Sequence, residues 1–396
     1  MKTWKCTICG YIHAGDVPPD KCPQCGAPAG AFEPVMNEKG ASASPQELDP
    51  PKDLAEVRER ARDKLRGICG VYPACDGSPD RICQREAYGK PIGLGGAGSG
   101  AGFAANYAAL SKRALKPRLV GEHFQPDTGF DFFGEKLEMP ILGSSTAGPS
   151  RYNNCMSEID FCVAHVQGCL NAGTLSLRGD TFFYTPQGHP ALVSIERAGG
   201  RGVPIFKPRE QKVLLSLIER AAKAGCPAVG VDLDGCGSTN MARAGQPVFR
   251  KSLSDMKELV SATDLPFIFK GIMCVEDAEA CAEAGARVVA VSNHGGRVMD
   301  YTPGVADVLP GIAAAVGGHV MLTADGGVRT GYDVFKMLAL GADAVLIGRD
   351  LVRAAVGGGV QGVTMHMQRL HKVLHHAMLM TGCKGLADIN SEVFYS

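Results

Sequence analysis

From Met139 onward short apolar segments alternate with helical stretches, and this rhythm narrows the fold further than any other feature of the chain. The segments are Pro140–Ser144, Thr174–Leu177, Val203–Phe206, Ala228–Val231, Pro266–Phe269, Val288–Ser292, Val320–Ala324 and Ala344–Ile347. Near-continuous apolar runs of this length mark strands buried on both faces. Between them, Gln211–Ala224 carries Val213, Leu214, Leu217, Ile218 and Ala221 at helical spacing, and Glu276–Ala284 is a second such stretch. Gly225, Gly285 and Gly341 stand where helices close ahead of the next strand. Eight strand–helix steps over roughly 240 residues predict an α/β fold, a (β/α)8 barrel. A doubly wound open sheet is the alternative, but no mid-sheet reversal signal interrupts the eight segments.

A barrel of this kind places its chemistry at the C-terminal ends of the strands. The polar residues there are Asp232 after the fourth strand, Lys270 after the fifth, His294 and Arg297 after the sixth, Asp325 and Arg329 after the seventh, and Gly348 and Arg349 after the eighth. The richest stretch is Ser292-Asn293-His294-Gly295-Gly296-Arg297. It sets a titratable base three residues from a guanidinium on a glycine-softened loop. A base beside a bidentate carboxylate clamp is what oxidation of a 2-hydroxy acid needs. The bland alternative is a loop with a structural histidine and a surface arginine, which the gathering of charge at one rim weighs against.

The 396 residues carry zero formal net charge, so nothing draws the chain to nucleic acid or to an anionic membrane. No apolar run reaches the roughly 18 residues of a membrane span, and Met1 to Cys6 lacks a secretory apolar stretch. A soluble, cytoplasmic protein is the expectation. The 15 cysteines fit metal sites and buried thiols better than a disulfide framework. Cys6-x-x-Cys9 and Cys22-x-x-Cys25 stand twelve residues apart, each followed by a glycine, Gly10 and Gly26. Two such knuckles set four thiolates around one metal. A four-cysteine site takes zinc or iron, and spacing does not decide between them. The reading divides the chain into a metal unit at 1–36, a linker at 37–52, a helical and loop extension at 53–138 with Cys- and Gly-rich segments, and a barrel with a C-terminal helix at 139–396. In the extension, Asp53–Leu65 has helical spacing at Leu54, Val57, Ala61 and Leu65.

Two resemblances follow. Trp4-Lys5-Cys6-Thr7-Ile8-Cys9-Gly10-Tyr11, with Pro18–Pro28 and Phe32, resembles the short rubredoxin domain of rubrerythrins. That resemblance implies a one-electron iron centre. From about Leu115 to Ala387 the chain resembles the FMN-dependent 2-hydroxy acid dehydrogenases and oxidases, the glycolate and lactate oxidases among them. The carrying motifs are Phe269–Ile272, Ser292–Arg297, Ala324–Gly331 and Gly341–Arg349. The resemblance implies FMN, with Asp325, Gly326, Gly327, Arg329, Gly348 and Arg349 at the ribityl-phosphate end, and Thr146, Ala147 and Ser176 against the ring. Lys270 would offset the negative charge that the flavin gains. His294 would take the substrate proton, Asp232 would orient it, and Arg297 would hold the substrate carboxylate. Tetrameric assembly is implied in the same way.

The chain departs from that pattern in the pocket. Phe206 and Lys207 stand near the place of a tyrosine after the third strand, and Gly230 replaces a threonine. Leu233–Ser238 lacks a Pro-Arg run, with Arg243 an unaligned substitute, and none of Tyr72, Tyr88 or Tyr107 is a clear match for the N-terminal active-site tyrosine. Cys69, Cys75 and Cys83 with a fourth ligand such as Cys155 would make an iron–sulfur cluster; unligated loop thiols are the simpler reading. Gly93–Gly100 lacks the flanks of a phosphate loop. Cys155, Cys162 and Cys169 read as helical core, and His371, His375 and His376 as an ordinary helix face. The expected function is oxidation of a lactate-like 2-hydroxy acid at FMN, with electrons leaving through the iron unit to a protein acceptor. The alternatives are a rubredoxin-fed FMN reductase or an isomerase like the type 2 isopentenyl diphosphate isomerases. A non-catalytic zinc-ribbon and flavin-binding protein is the rival from another class.

Overall fold

In the computed structural model the described residues are 3–6, 12–22, 28–34, 49–65, 100–147, 155–181, 188–238, 241–242 and 244–395. Cys9, Cys25, Cys69, Cys75, Cys83, Tyr72, Tyr88, Arg243 and Gly93–Ser99 lie outside them.

A small antiparallel sheet opens the chain: β1 (Thr3–Cys6) pairs with β2 (Ile12–Ala14) and β3 (Phe32–Pro34). Cys6 and Cys22 are buried there beside Phe32, with Trp4 packed against them and its indole N–H donating to Gly15 O at 3.1 Å. Helix α1 (Leu54–Lys64) is capped by Asp53, whose side chain accepts from Glu56 N. Helix α2 (Ala101–Ser111) follows, then a hairpin of β4 (Phe130–Phe132) and β5 (Glu135–Leu137).

Eight parallel strands then close a barrel: β6 (Ile141–Thr146), β7 (Ser176–Gly179), β8 (Val203–Phe206), β9 (Val229–Asp232), β10 (Phe267–Ile272), β11 (Val288–Val291), β12 (Met321–Ala324) and β13 (Ala344–Ile347). The last pairs with the first, Val345 opposite Ile141. Helices α3 (Glu158–Asn171), α4 (Pro190–Arg197), α5 (Gln211–Lys223), α6 (Leu253–Ser261), α7 (Val275–Glu283), α8 (Val305–Val316), α9 (Gly331–Ala339) and α10 (Arg349–Thr381) surround it. The predicted barrel is therefore the observed one, with strand ends shifted by one to three residues. None of the described helices is long and apolar enough to cross a membrane.

Strand side chains alternate between two apolar layers. Leu142, Leu177, Ile205, Ile268, Val288, Ala290 and Leu346 share one cluster, the lumen. Val229, Val231, Phe267, Phe269, Val289, Val291, Val345 and Ile347 belong to the cluster that includes the helices. Phe132 and Leu137 of the hairpin join the lumen cluster and plug its N-terminal end. Helix α1 lies so close to α10 that a Cβ on Gly357 would sit 1.9 Å from Val57 O.

Phe132 is fully buried, so Phe132→Ala opens a cavity in the lumen floor. The expected cost is about 3–5 kcal/mol, read as a lower thermal midpoint in circular dichroism without loss of FMN binding.

Candidate active site

The lumen register predicts which polar groups share the barrel mouth. One step of two residues beyond the apolar layer leads from Ile205 to Lys207, from Gly230 to Asp232, from Ile268 to Lys270, from Ala290 to Ser292, from Thr323 to Asp325, and from Leu346 to Gly348. These side chains converge. Lys270 Nζ lies 3.0 Å from Ser292 Oγ, 3.4 Å from Asp232 Oδ1 and 3.8 Å from Asp325 Oδ2. Lys207 Nζ takes the other oxygen of Asp232 at 2.5 Å. Burial alone would raise the Asp232 carboxyl, but Lys207 and Lys270, then His294, hold it well below the usual range. The same carboxylates outweigh burial at Lys270 and keep its ammonium charged.

His294 sits on the turn after β11 with φ +56, a left-handed conformation unusual for a side chain of its size, and Gly295 and Gly296 continue it at +65 and +76. Three bonds hold this turn. Ser292 Oγ accepts from His294 N at 3.0 Å, and Gly296 N donates to Asn293 O at 2.8 Å and to Asn293 Oδ1 at 3.0 Å. Asn293 is in turn locked to Asn106 of α2: Asn106 Nδ2 donates to Asn293 Oδ1 at 2.9 Å, and Val305 N donates to Asn106 Oδ1 at 3.0 Å. A Cβ on Gly296 would lie 2.3 Å from Phe103 N, so only glycine lets the turn rest on α2. Strain of this kind costs about 1–3 kcal/mol and persists where surroundings over-determine it.

The imidazole Nδ1 faces two carboxylates, Asp234 at 3.1 and 3.2 Å and Asp232 at 3.6 Å. Nδ1 carries the proton in that arrangement, which leaves Nε2 as the acceptor. Arg297, on the same loop and half-buried, donates to no acceptor among the described residues.

Arg329 pairs with Asp350 Oδ1 at 2.5 Å and donates through Nε to the Tyr107 hydroxyl. Arg349 donates to Gly295 O and stacks over Phe103, 4.4 Å from its centroid. Both arginines follow strands at the C-terminal end of the barrel, and Gly326 (φ +91) and Gly327 (φ +80) precede Arg329 in the turn after β12. FMN fits what the mouth offers. Thr146 Oγ1, Thr323 Oγ1 and Asp325 Oδ1 are buried on the lumen-facing register without a hydrogen-bond partner. A seated polar ligand satisfies such atoms. A Cβ on Gly348 would meet nothing nearer than 3.9 Å, so space is open there.

Ser176 is a correction. Period two puts it on the outer face, where its Oγ donates to Leu177 O at 3.1 Å and borders Cys169 of α3. It points away from the mouth and has no part in a ring contact. Ala147 directly follows β6, at the rim beside Thr146. Tyr107 belongs to the Arg329 end, not to the base. Cys162 and Cys169 are buried in α3 and Cys155 half-buried ahead of it; His371 Nε2 lies 2.7 Å from Thr128 Oγ1.

Three further groups escaped the sequence reading. Asn106 has no motif signal, because its partner is 187 residues away. Asp234 is separated from Asp232 by one residue, but only the 3-10 turn Leu233–Gly237 swings it to the imidazole. Asp180, after β7, is a buried anchor. It takes Arg209 Nε at 2.7 Å and Nη2 at 2.8 Å, His189 Nε2 at 2.7 Å and Lys207 N at 3.0 Å. It fixes the segment that delivers the Lys207 ammonium to Asp232.

The fold and the mouth together define a (β/α)8 barrel whose C-terminal end gathers a histidine, carboxylates, lysines and arginines. Comparison with known proteins is consistent with this. Two stretches, residues 93–249 and 237–396, match the FMN-dependent dehydrogenase model, and residues 4–33 match the rubredoxin-like domain of rubrerythrin. An L-lactate oxidase of Alicycliphilus denitrificans is 34% identical over 338 residues, covering 75% of this chain and 89% of that protein. Glycolate oxidase 1 of Oryza sativa subsp. indica is 30% identical over 333 residues, 74% of this chain and 86% of the other. A crystal structure of mandelate oxidase with (S)-2-phenylpropionate superposes with a TM-score of 0.67 at 28% identity, covering 85% of this chain and 96% of that one. The chain belongs to the FMN-dependent dehydrogenase family, a flavoprotein oxidoreductase with a rubredoxin-like domain at its N-terminus.

Burial would raise the Asp180 carboxyl, but Arg209 and then His189 outweigh it and hold it far below the usual range. Its folded pKa lies below its unfolded value, so its stabilisation is whole above about pH 4 and is lost as pH falls through the folded value. Asp180→Asn leaves the Arg209 charge uncompensated and should cost about 3 kcal/mol at neutral pH. In denaturant titrations the gap from wild type should shrink in acid; a gap that stays constant with pH would refute this role.

Proposed function

We propose that the chain oxidises a 2-hydroxy acid to the 2-oxo acid at FMN. The observation that carries this reading is His294, its Nδ1 held by carboxylates at the mouth, with Arg297 three residues on along the same loop, half-buried and without an acceptor among the described residues. The relatives named as L-lactate and glycolate oxidases support the substrate class; a lactate-like acid is the default within it. Arg297 would grip the substrate carboxylate bidentately, with the C2 hydroxyl set toward His294 Nε2. His294 Nε2 accepts the hydroxyl proton, and the carboxylates behind it offset the charge of the imidazolium. When bound, FMN accepts the C2 hydrogen with its two electrons. Lys270, charged and buried, supplies the positive field at the mouth that a gain of electrons requires. Asp325 and Thr146 have open acceptor and hydroxyl valences toward the ligand, and Arg329 and Arg349 supply positive charge for its phosphate.

The Cys6, Cys9, Cys22 and Cys25 set, two of them buried beside Phe32, is read as an iron site of rubredoxin type, with zinc as the alternative. Iron there would take electrons one at a time and hand them to a protein acceptor, so the fused unit favours a dehydrogenase over direct use of oxygen.

Purified protein should show red-brown bands of ferric sulfur ligation on top of the yellow flavin; a flavin spectrum alone would overturn the iron reading, and metal analysis of the same sample would then show zinc if the alternative holds. Mixed anaerobically with a panel of 2-hydroxy acids, the wild type should bleach, and no bleaching by any acid would sink the oxidation reading. His294→Gln should keep FMN and lose at least about a hundredfold in bleaching rate.

A further inference from the structure

The carboxylate nearest the base is not the one that ends β9. Asp234 places its two oxygens 3.1 and 3.2 Å from His294 Nδ1, within hydrogen-bond reach, while the nearer oxygen of Asp232 stands at 3.6 Å. Asp232 is committed elsewhere. One of its oxygens holds Lys207 Nζ at 2.5 Å and the other faces Lys270 Nζ at 3.4 Å. Two ammonium groups against one carboxylate leave little negative field for a third partner.

The seat of Asp234 is built. Gly271 of β10 has φ +95, and a Cβ there would lie 2.5 Å from Asp234 Cγ and 2.6 Å from its Cβ. Glycine at 271 therefore makes the room in which the carboxyl reaches the imidazole. Gly235, the next residue, makes room for Lys207 instead, where a Cβ would lie 2.7 Å from Lys207 Cδ. The Asp234 side chain is 13% exposed and that of His294 is 21% exposed, so the contact is largely shielded from water.

We propose that Asp234 is the positioning carboxylate of the base: it holds the Nδ1–H tautomer of His294 and partners the imidazolium, while Asp232 ties the two lysines together. This rests on the reading of His294 as the base. The proton from the substrate hydroxyl would move to Nε2 and the Nδ1 proton would stay on the ring, bonded to Asp234, with bound FMN as the acceptor for the C2 hydrogen and its two electrons. The charged groups around this pair are Asp232 of β9 and Lys270 of β10, with Lys207 after β8 bonded to Asp232; Asp325 lies behind Lys270, and Arg297 follows on the loop of His294. Burial, and then Asp232, raise the Asp234 carboxyl above the usual range. Asp234 thus gives up its acceptor role at a higher pH than an exposed carboxylate would.

The test uses the full FMN-loaded chain and two readouts. One is the pH profile of anaerobic flavin reduction by whichever 2-hydroxy acid bleaches the wild type. The other needs no substrate: the pH midpoint for carbethoxylation of His294 by diethyl pyrocarbonate, read on its peptide by mass spectrometry. Asp234→Asn should slow flavin reduction about tenfold or more and move the carbethoxylation midpoint down by about one pH unit, with FMN content unchanged. Asp234→Glu should recover part of both, and Asp232→Asn should move the midpoint less than Asp234→Asn does. Should Asp234→Asn fail to hold FMN, Gly271→Ala keeps both acids and crowds the Asp234 carboxyl off the ring, so it should move the midpoint the same way. An unmoved midpoint, or a larger shift in Asp232→Asn, overturns the proposal. If His294→Gln reduces its flavin at the wild-type rate, the base reading itself fails; if it does not and Asp234→Asn is unmoved, only the role of Asp234 fails.

Discussion

The period-two alternation of eight closed strands is the constraint on which this molecule depends. In a barrel every strand has one face in the lumen and one against the helices. Once Leu177, Ile205, Ile268, Ala290 and Leu346 are committed to the lumen, the residues two steps on are committed to the mouth. A polar residue there lies at the only place in the barrel interior where a ligand and water can reach it. Lys207, Asp232, Lys270, Ser292 and Asp325 are therefore gathered by register and not by any local motif. A one-residue slip would exchange them for Phe206, Val231, Phe269, Val291 and Ala324, which pack against the helices.

Gathering these groups creates an electrostatic problem that the structure resolves by mutual compensation. A buried carboxylate or ammonium is costly unless paired, and breaking such a pair costs about 3–5 kcal/mol. Asp232 with Lys207 and Lys270, and Asp325 with Lys270, supply those pairs. The second layer is braced in the same manner. Asp180 receives Arg209, His189 and the Lys207 amide. Asp350 receives Arg329 and Arg353. Cations that face the ligand are thus aimed by anions that do not. Arg297, on the loop of His294, is the exception, a half-buried guanidinium without such an anion among the described residues, which is what its proposed grip on a carboxylate requires.

Much of this was legible in the sequence because parallel, doubly buried strands write themselves as apolar runs. The eight strands and the barrel followed from those runs, and the rim charges followed from the barrel. The strand ends were less legible. The strand expected over Pro266–Phe269 runs on through Lys270-Gly271-Ile272, because the ladder continues under the polar Lys270. Ser176 was misjudged because its motif position outweighed its parity: Leu177 owns the lumen face, so its neighbour cannot. Asn106 was invisible because its meaning lies in a contact with Asn293 that only the closed fold creates.

Asp234 illustrates a further limit of the sequence. Extended backbone beyond Asp232 would carry Asp234 up and away from the mouth, on the same face as Asp232. The chain instead turns at Asp232, with φ −90 and ψ 83, into a 3-10 turn. That turn folds Asp234 back against β10, where Gly271 has no side chain to exclude it. Two carboxylates then share one imidazole, and like charges at that distance cannot both be fully ionised at equal cost. The lysines settle which one is. They draw Asp232 down, while burial and then Asp232 raise Asp234, which has no lysine at contact distance among the described residues. On the proposed assignment, the chain's departure around the fourth strand is no loss of support for His294: Lys207 engages Asp232, and the turn brings Asp234 to the ring in its place.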